Sequence, residues 1–239
     1  MLRLIKHINV SDFNMSTSLL SPNSHIRQSP HNVVRIHGLQ NSGTNLLAKY
    51  LQRHFNLYID ASGWKHQLLT LHYCHQYPSF IDPRVLKIFV IKDPYFWLQS
   101  MFKSPYEVMS IRPPLTVNDY IQRPVKLIEE RGGAIYRTPI DYWCLWYDRN
   151  IRIMDHYKTP MIMIRYEDLL MNPIQVMTEL EPFLHRKPDT PLTIIEEAAK
   201  SHGHSRNRQQ ALAYYSNKEN RIKGMTLQSQ QMIQSIIVP

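Results

Sequence analysis

The stretch GLQNSGTNLL, residues 38–47, holds the most specific spacing of chemical groups in the chain. Gly38 and Gly43 bracket a polar run, and an apolar run at helical spacing follows. The residues before it, NVVRIH, are rich in β-branched side chains and read as a strand. A glycine turn between strand and helix aims several backbone N–H groups at one point, and the helix dipole adds partial positive charge there. Asn41, Ser42, Thr44 and Asn45 add side-chain donors around Gly43, a set suited to a phosphate-type anion. An ordinary turn between strand and helix is the plain alternative. Thr44 stands where a nucleotide-hydrolysing loop carries lysine, which argues against transfer of a nucleotide γ-phosphate.

Two further segments bear on the same chemistry. VIKDPYFWLQS puts Lys92 at the end of an apolar run and Ser100 eight residues on, two turns into the following helix. A cation at a strand end and a hydroxyl on the next helix suit a second phosphate. RYEDLLMNP places Tyr166 just past a third apolar run.

Taken in order, these three segments resemble the sulfotransferase family that uses 3′-phosphoadenosine 5′-phosphosulfate, over about residues 33–175. GLQNSGTN is similar to the family's 5′-phosphosulfate loop, with the Ser-Gly-Thr core at Ser42, Gly43 and Thr44. Lys92 and Ser100 fall where the family has its 3′-phosphate residues, usually arginine and serine. The resemblance places Tyr166 near the adenine. It implies a P-loop-like fold, this donor as co-substrate and no metal. It also accounts for the missing lysine, since an activated donor requires no metal-bound triphosphate to be cleaved.

One position departs from the family pattern. Many members carry a cation immediately before Ser-Gly-Thr, and here Asn41 stands there. GWKH, residues 63–66, offers a replacement: Lys65 for the charge and His66 as general base for the acceptor, an imidazole being suited to that task near neutral pH. The resemblance implies a histidine base between the two phosphate segments; His72 and His75 share that interval, and a surface histidine is the common alternative. Trp64 either lines a pocket or packs in the core. Arg206, Arg208, Arg221 and Lys223 are C-terminal candidates for the cofactor, each equally readable as a solvated basic face.

The elements that must position these groups follow from periodicity. Strands are expected at the residues before Gly38, at 85–91 and at MIMIR, the last running into a loop. Helices are expected from Thr44, over 94–103 behind Asp93 and Pro94, and over 139–157 behind Thr138 and Pro139. Others are expected behind Asn172 and Pro173, with Gln175 completing a capping box, and from Thr190–Pro191. The tail from about residue 225 has a weak helical pattern. Trp143, Trp146 and Tyr147 are expected to pack the 139–157 helix. Alternation of strand and helix predicts an α/β fold, a parallel sheet flanked by helices, and the resemblance makes that sheet P-loop-like. Residues 104–137 form the natural excursion over the active face.

Composition sets the outer bounds. The 239 residues are 43% hydrophobic and carry a formal net charge of +9, favouring an anionic partner or simple solubility. A flexible arm over 1–31 and a single domain over 32–239 are expected. Two cysteines, Cys74 and Cys144, make no disulfide framework or zinc pattern. No apolar run reaches the ~20 residues of a membrane span, and the expectation is a cytoplasmic protein. The resemblance implies a small-molecule or glycan acceptor; Lys103, Arg112, Arg123, Lys126, Arg131 and Arg137 suit an anionic one and suit a solvated surface equally well. No recognition helix, zinc finger or RNA-binding signature points to nucleic acid. A non-catalytic nucleotide- or polyanion-binding protein and a P-loop nucleotide kinase remain as alternatives.

Overall fold

A computed structural model describes residues 19–20, 33–106, 108–110, 114–127, 135–198 and 206–237. Of the expected arm over 1–31, only β1 (Leu19–Leu20) lies within them; Arg112 and Arg131 lie outside the described residues.

The described residues group into two compact units, one within 93–148 and 217–237, the other within 19–92 and 149–216. The boundaries fall between a strand and its next helix, inside a long helix, and between two short helices.

The second unit contains a four-stranded parallel sheet with helices against it. β2 (Val33–His37), β3 (Tyr58–Ile59), β4 (Leu86–Ile91) and β8 (Met161–Arg165) lie in the order β3-β2-β4-β8. β1 adds an antiparallel edge on β8, pairing Leu19 with Ile164. β4 and β8 are buried along their whole length, which matches their nearly unbroken apolar runs. Helix α1 (Thr44–Phe55) supplies Leu46, Leu47, Tyr50, Leu51 and Phe55 to the core, at three- and four-residue steps. Helix α7 (Pro173–Leu184) supplies Val176, Met177, Leu180 and Leu184. Because β3 and β4 flank β2 on opposite sides, the strand order reverses at β2. The loops leaving the carboxyl ends of β2 and β4 therefore open at the switch point, where open α/β sheets bind ligands.

The first unit holds α3 (Pro94–Lys103), a three-stranded antiparallel sheet of β5 (Val108–Ser110), β6 (Val125–Leu127) and β7 (Ile135–Tyr136), and α4 (Val117–Gln122). It also holds the first half of α5 (Pro139–His156), with α9 (Lys218–Ile222) and α10 (Leu227–Ile237). Asp93 caps α3, accepting from the Tyr95 and Phe96 amides at 2.9 and 3.2 Å, and Thr138 accepts from the Asp141 amide at the start of α5. Trp143, Trp146 and Tyr147 are buried and touch ring to ring. The expected excursion over 104–137 is thus partly regular structure.

Three local expectations are corrected. Tyr166–Met171 form a helix, α6, where a loop is expected after β8. Asn172 makes no side-chain cap and no capping box forms: Gln175 turns along α7 to Glu179, and the Asn172 amide donates to the Asp168 carbonyl. No helix forms from Thr190–Pro191: the polar groups there bind α1 instead. His54 contacts Thr190 Oγ1 and the Thr193 carbonyl, and the Ile195 amide donates to Tyr50 Oη. Helix-forming hydrogen bonds are replaced by tertiary ones, and residues 189–198 become a strap along α1.

Candidate functional site

The carboxyl edge of the parallel sheet gathers the loop 38–43, the segment 60–66 after β3, Lys92 after β4 and Tyr166 after β8. Each departs from a parallel strand, so all four leave on the same side.

The loop is tightly folded. The Ser42 amide donates to the Leu39 carbonyl at 3.1 Å, closing a turn. Asn41 (φ 63°) and Gly43 (φ 95°) both adopt the left-handed region. A Cβ on Gly38 would meet Ser42 Oγ, the Val90 carbonyl and the Thr44 methyl, so this position has no room for a side chain. Gly43 is the N-cap of α1 and offers no capping side chain, and the first turn has no acidic residue. The first turn of α1 therefore carries no acidic side chain of its own to offset the positive end of the helix dipole. Ser42 is fully buried, and its hydroxyl has no hydrogen-bond partner among the described residues.

Lys65 and His66 are stitched to this loop. The Gly38 amide donates to the Lys65 carbonyl at 3.3 Å, and His66 Nδ1 lies 2.5 Å from the Gly38 carbonyl. A carbonyl only accepts, so Nδ1 carries the proton, and in the neutral ring Nε2 is the nitrogen that holds the lone pair. Lys65 Nζ donates to Asn45 Oδ1 in the first turn of α1. A cation thus stands beside a loop whose own sequence lacks one at Asn41. Trp64 meets His66 edge-on, with ring centroids 5.5 Å apart.

Lys92 is buried. Its Nζ donates to Tyr215 Oη at 2.7 Å and to the Asn41 carbonyl at 3.3 Å, and it lies about 5 Å from the ring centres of Tyr166 and Tyr215. Tyr215 ends α8 (Arg208–Tyr215), which starts with a capping box between Asn207 and Gln210. The Tyr166 ring packs on Gly43 and meets Tyr215 at 75°. Desolvation, then the neighbouring Tyr215 and Glu167, push the Tyr166 phenol well above its ordinary range. Arg206 stacks on Tyr214, and Arg208 donates to the Met171 carbonyl and pairs with Glu196.

Nine of the ten residues singled out from the sequence fall in this unit: Asn41, Ser42, Gly43, Thr44, Asn45, Lys65, His66, Lys92 and Tyr166. Ser100 belongs to the other unit, where its hydroxyl donates to the Phe96 carbonyl on α3. Arg221, in that unit too, pairs with Asp93 at 2.8 Å and lies over Tyr95. Asp93, the acid a nucleotide kinase would require, is committed to the α3 cap and to Arg221.

The sequence reading missed a buried polar layer behind the loop. Arg35 pairs with Asp60 and donates to Ser62 and Ser79. Lys87 donates to the carbonyls of Asp82 and Val85, and burial pulls its pKa down to about 7. His37 lies between Phe80 and Phe89, and neither ring nitrogen has a partner among the described residues. Burial first, then Arg35, Lys87 and His66, hold its pKa well below 6.5. The signal was present as charged residues on one face of two apolar strands, Arg35 and His37 opposite Lys87 and Phe89.

Among the described residues, no group of three or more His, Cys, Asp and Glu is placed to hold a metal ion, and no helix is long and apolar enough to cross a membrane. No family model matches the chain, and neither a curated protein nor a solved structure is detectably similar to it.

Proposed function

We propose that the chain is a sulfotransferase of P-loop-like fold. It moves the sulfuryl group of 3′-phosphoadenosine 5′-phosphosulfate to a hydroxyl or amine of a small-molecule or glycan acceptor. The observation that carries this reading is the pairing of Lys65 with Asn45 and of His66 with Gly38. Together they add a cation and a base-competent imidazole to an anion-type loop that lacks both.

The residues present fit the donor's 5′ side. The first-turn amides of α1, the Ser42 hydroxyl (without a partner among the described residues) and the Lys65 ammonium suit an oxyanion. The donor supplies an activated sulfur–oxygen bond, and the protein supplies position and charge. His66 Nε2 takes the proton from the acceptor as the acceptor atom bonds to sulfur. The bond from sulfur to the 5′-phosphate oxygen breaks, and its electron pair stays on that oxygen. Lys65, Asn41 and the loop amides take up the resulting charge. Tyr166 offers a ring for the adenine. Lys92 is the cation for the 3′-phosphate, with Ser100 assigned there by resemblance alone.

Binding without turnover is the second reading. It is favoured by Asn41 and by the engagement of Lys92 with Tyr215. Thermal unfolding tests the nucleotide assignment common to both. 3′-Phosphoadenosine 5′-phosphate should raise the melting temperature well above the shift given by ATP with Mg²⁺. The reverse order would overturn it.

A further inference from the structure

We infer that Tyr73 is the positioning residue that sets where Lys65 and His66 stand, an inference that rests on the role proposed above for those two.

The segment carrying them has no regular structure of its own between β3 and α2 (Leu71–Gln76). Backbone bonds tie it at Asp60 to Val34, at Lys65 to Gly38 and within the Trp64–Gln67 turn, and side chains anchor it between them. At its start, Arg35 Nη1 reaches Ser62 Oγ at 3.1 Å and Ser79 Oγ at 2.8 Å, and the Ser62 amide donates to Asp60. At its end, Asn150 Oδ1 accepts from the Leu69 amide at 2.8 Å, while Asn150 Nδ2 donates to the Gln67 carbonyl at 3.2 Å. Between these anchors, the Trp64 amide donates to Tyr73 Oη at 2.6 Å. That is the last side-chain anchor before Lys65.

Gly63 makes this contact possible. It turns the chain with φ 71°, and a Cβ there would stand 2.8 Å from Tyr73 Oη and 3.0 Å from Phe80. Tyr73 is itself fixed. Its amide donates to the Thr70 hydroxyl at the start of α2, and its ring packs on Tyr77 and Phe80 at 4.7 and 5.2 Å. Phe80 in turn lies 3.6 Å beneath the Arg35 guanidinium. The phenol therefore projects from a rigid aromatic cluster onto the backbone just before the two proposed catalytic side chains. From there the Gly38 contacts carry the register into the anion loop. A hydroxyl that aims backbone without touching reactants acts through geometry, and small misplacements of reacting groups are costly.

Tyr73→Phe removes the hydroxyl and keeps the ring packing. Trp97, Trp143 and Trp146 are at most 1% exposed, so quenchable tryptophan fluorescence comes from Trp64. In this variant acrylamide should quench more strongly, and the Trp64 amide should exchange about 10-fold faster. Turnover should fall about 10-fold, with the nucleotide KM within about twofold of wild type. Unchanged quenching and exchange would overturn the positioning role, as would freed Trp64 with unchanged turnover. A wild-type protein without sulfuryl transfer would remove the catalytic reading instead. Quenching and exchange would still decide whether Tyr73 places the segment.

Discussion

The aromatic ring of Tyr166 stands where a side chain on Gly43 would have to go. The first residue of α6 thereby closes one side of the loop that begins α1, and the loop holds a left-handed conformation at the contact. Gly43→Ala meets two obstacles, the backbone at φ 95° and the ring. Strain of this kind costs about 1–3 kcal/mol. The melting temperature should fall by roughly 2–12 °C for a chain of this length. Adding Tyr166→Ala should recover only part of the loss, because the backbone strain remains. Full recovery would show that the ring contact alone requires glycine.

Lys92 is buried against Tyr215 Oη, and removing that oxygen takes away the shorter of the hydrogen bonds described above for its Nζ. Tyr215→Phe keeps the ring over Tyr166 while deleting the acceptor. Hydrogen bonds to charged groups contribute about 1.5–3 kcal/mol, so the variant should lose stability on that scale in urea. An unchanged midpoint would mean that the Asn41 carbonyl and the two rings suffice for Lys92.

Stability should rise with pH across two windows. Lys87 has a folded pKa of about 7 against 10.5 ordinarily, because burial disfavours its charge. Between these values the unfolded chain holds a proton that the folded chain gives up, so stability falls as pH drops from 10.5 towards 7. His37 titrates well below 6.5 when folded, again through burial. The unfolded chain takes up that proton first, so stability falls further as pH drops below 6.5. Urea midpoints across pH should show Lys87→Met flattening the alkaline limb and His37→Leu flattening the acid one. Slopes identical to wild type would show that neither group carries the linkage.

Much of the site was legible because its groups sit at the ends of strongly patterned elements. The strand before Gly38, the helix after Thr44 and the Asp93–Pro94 start of α3 follow from local chemistry, and the structure holds each of them. Segments stabilised by distant partners were not legible. The strap at 189–198 follows from His54 and Tyr50, more than 130 residues earlier. The Lys92–Tyr215 bond spans 123 positions, and nothing in the AYY sequence around Tyr215 announces it. Lys65 was a candidate for the missing charge from its place in GWKH, between the two phosphate-type segments; its bond to Asn45 depends on the parallel pairing of β2 with β3. The short strands β5, β6 and β7 carry too few residues for alternation to show.

Transfer of radiolabelled sulfate from 3′-phosphoadenosine 5′-phosphosulfate to pooled hydroxyl and amine acceptors tests the central claim most directly. Wild type should label an acceptor, and His66→Ala should reduce turnover by about 10²–10⁴-fold while nucleotide affinity stays nearly unchanged. Lys65→Ala should also lose turnover, with Lys65→Arg restoring part of it. Wild type that binds the nucleotide and labels nothing, or His66→Ala turning over at the wild-type rate, would contradict the account.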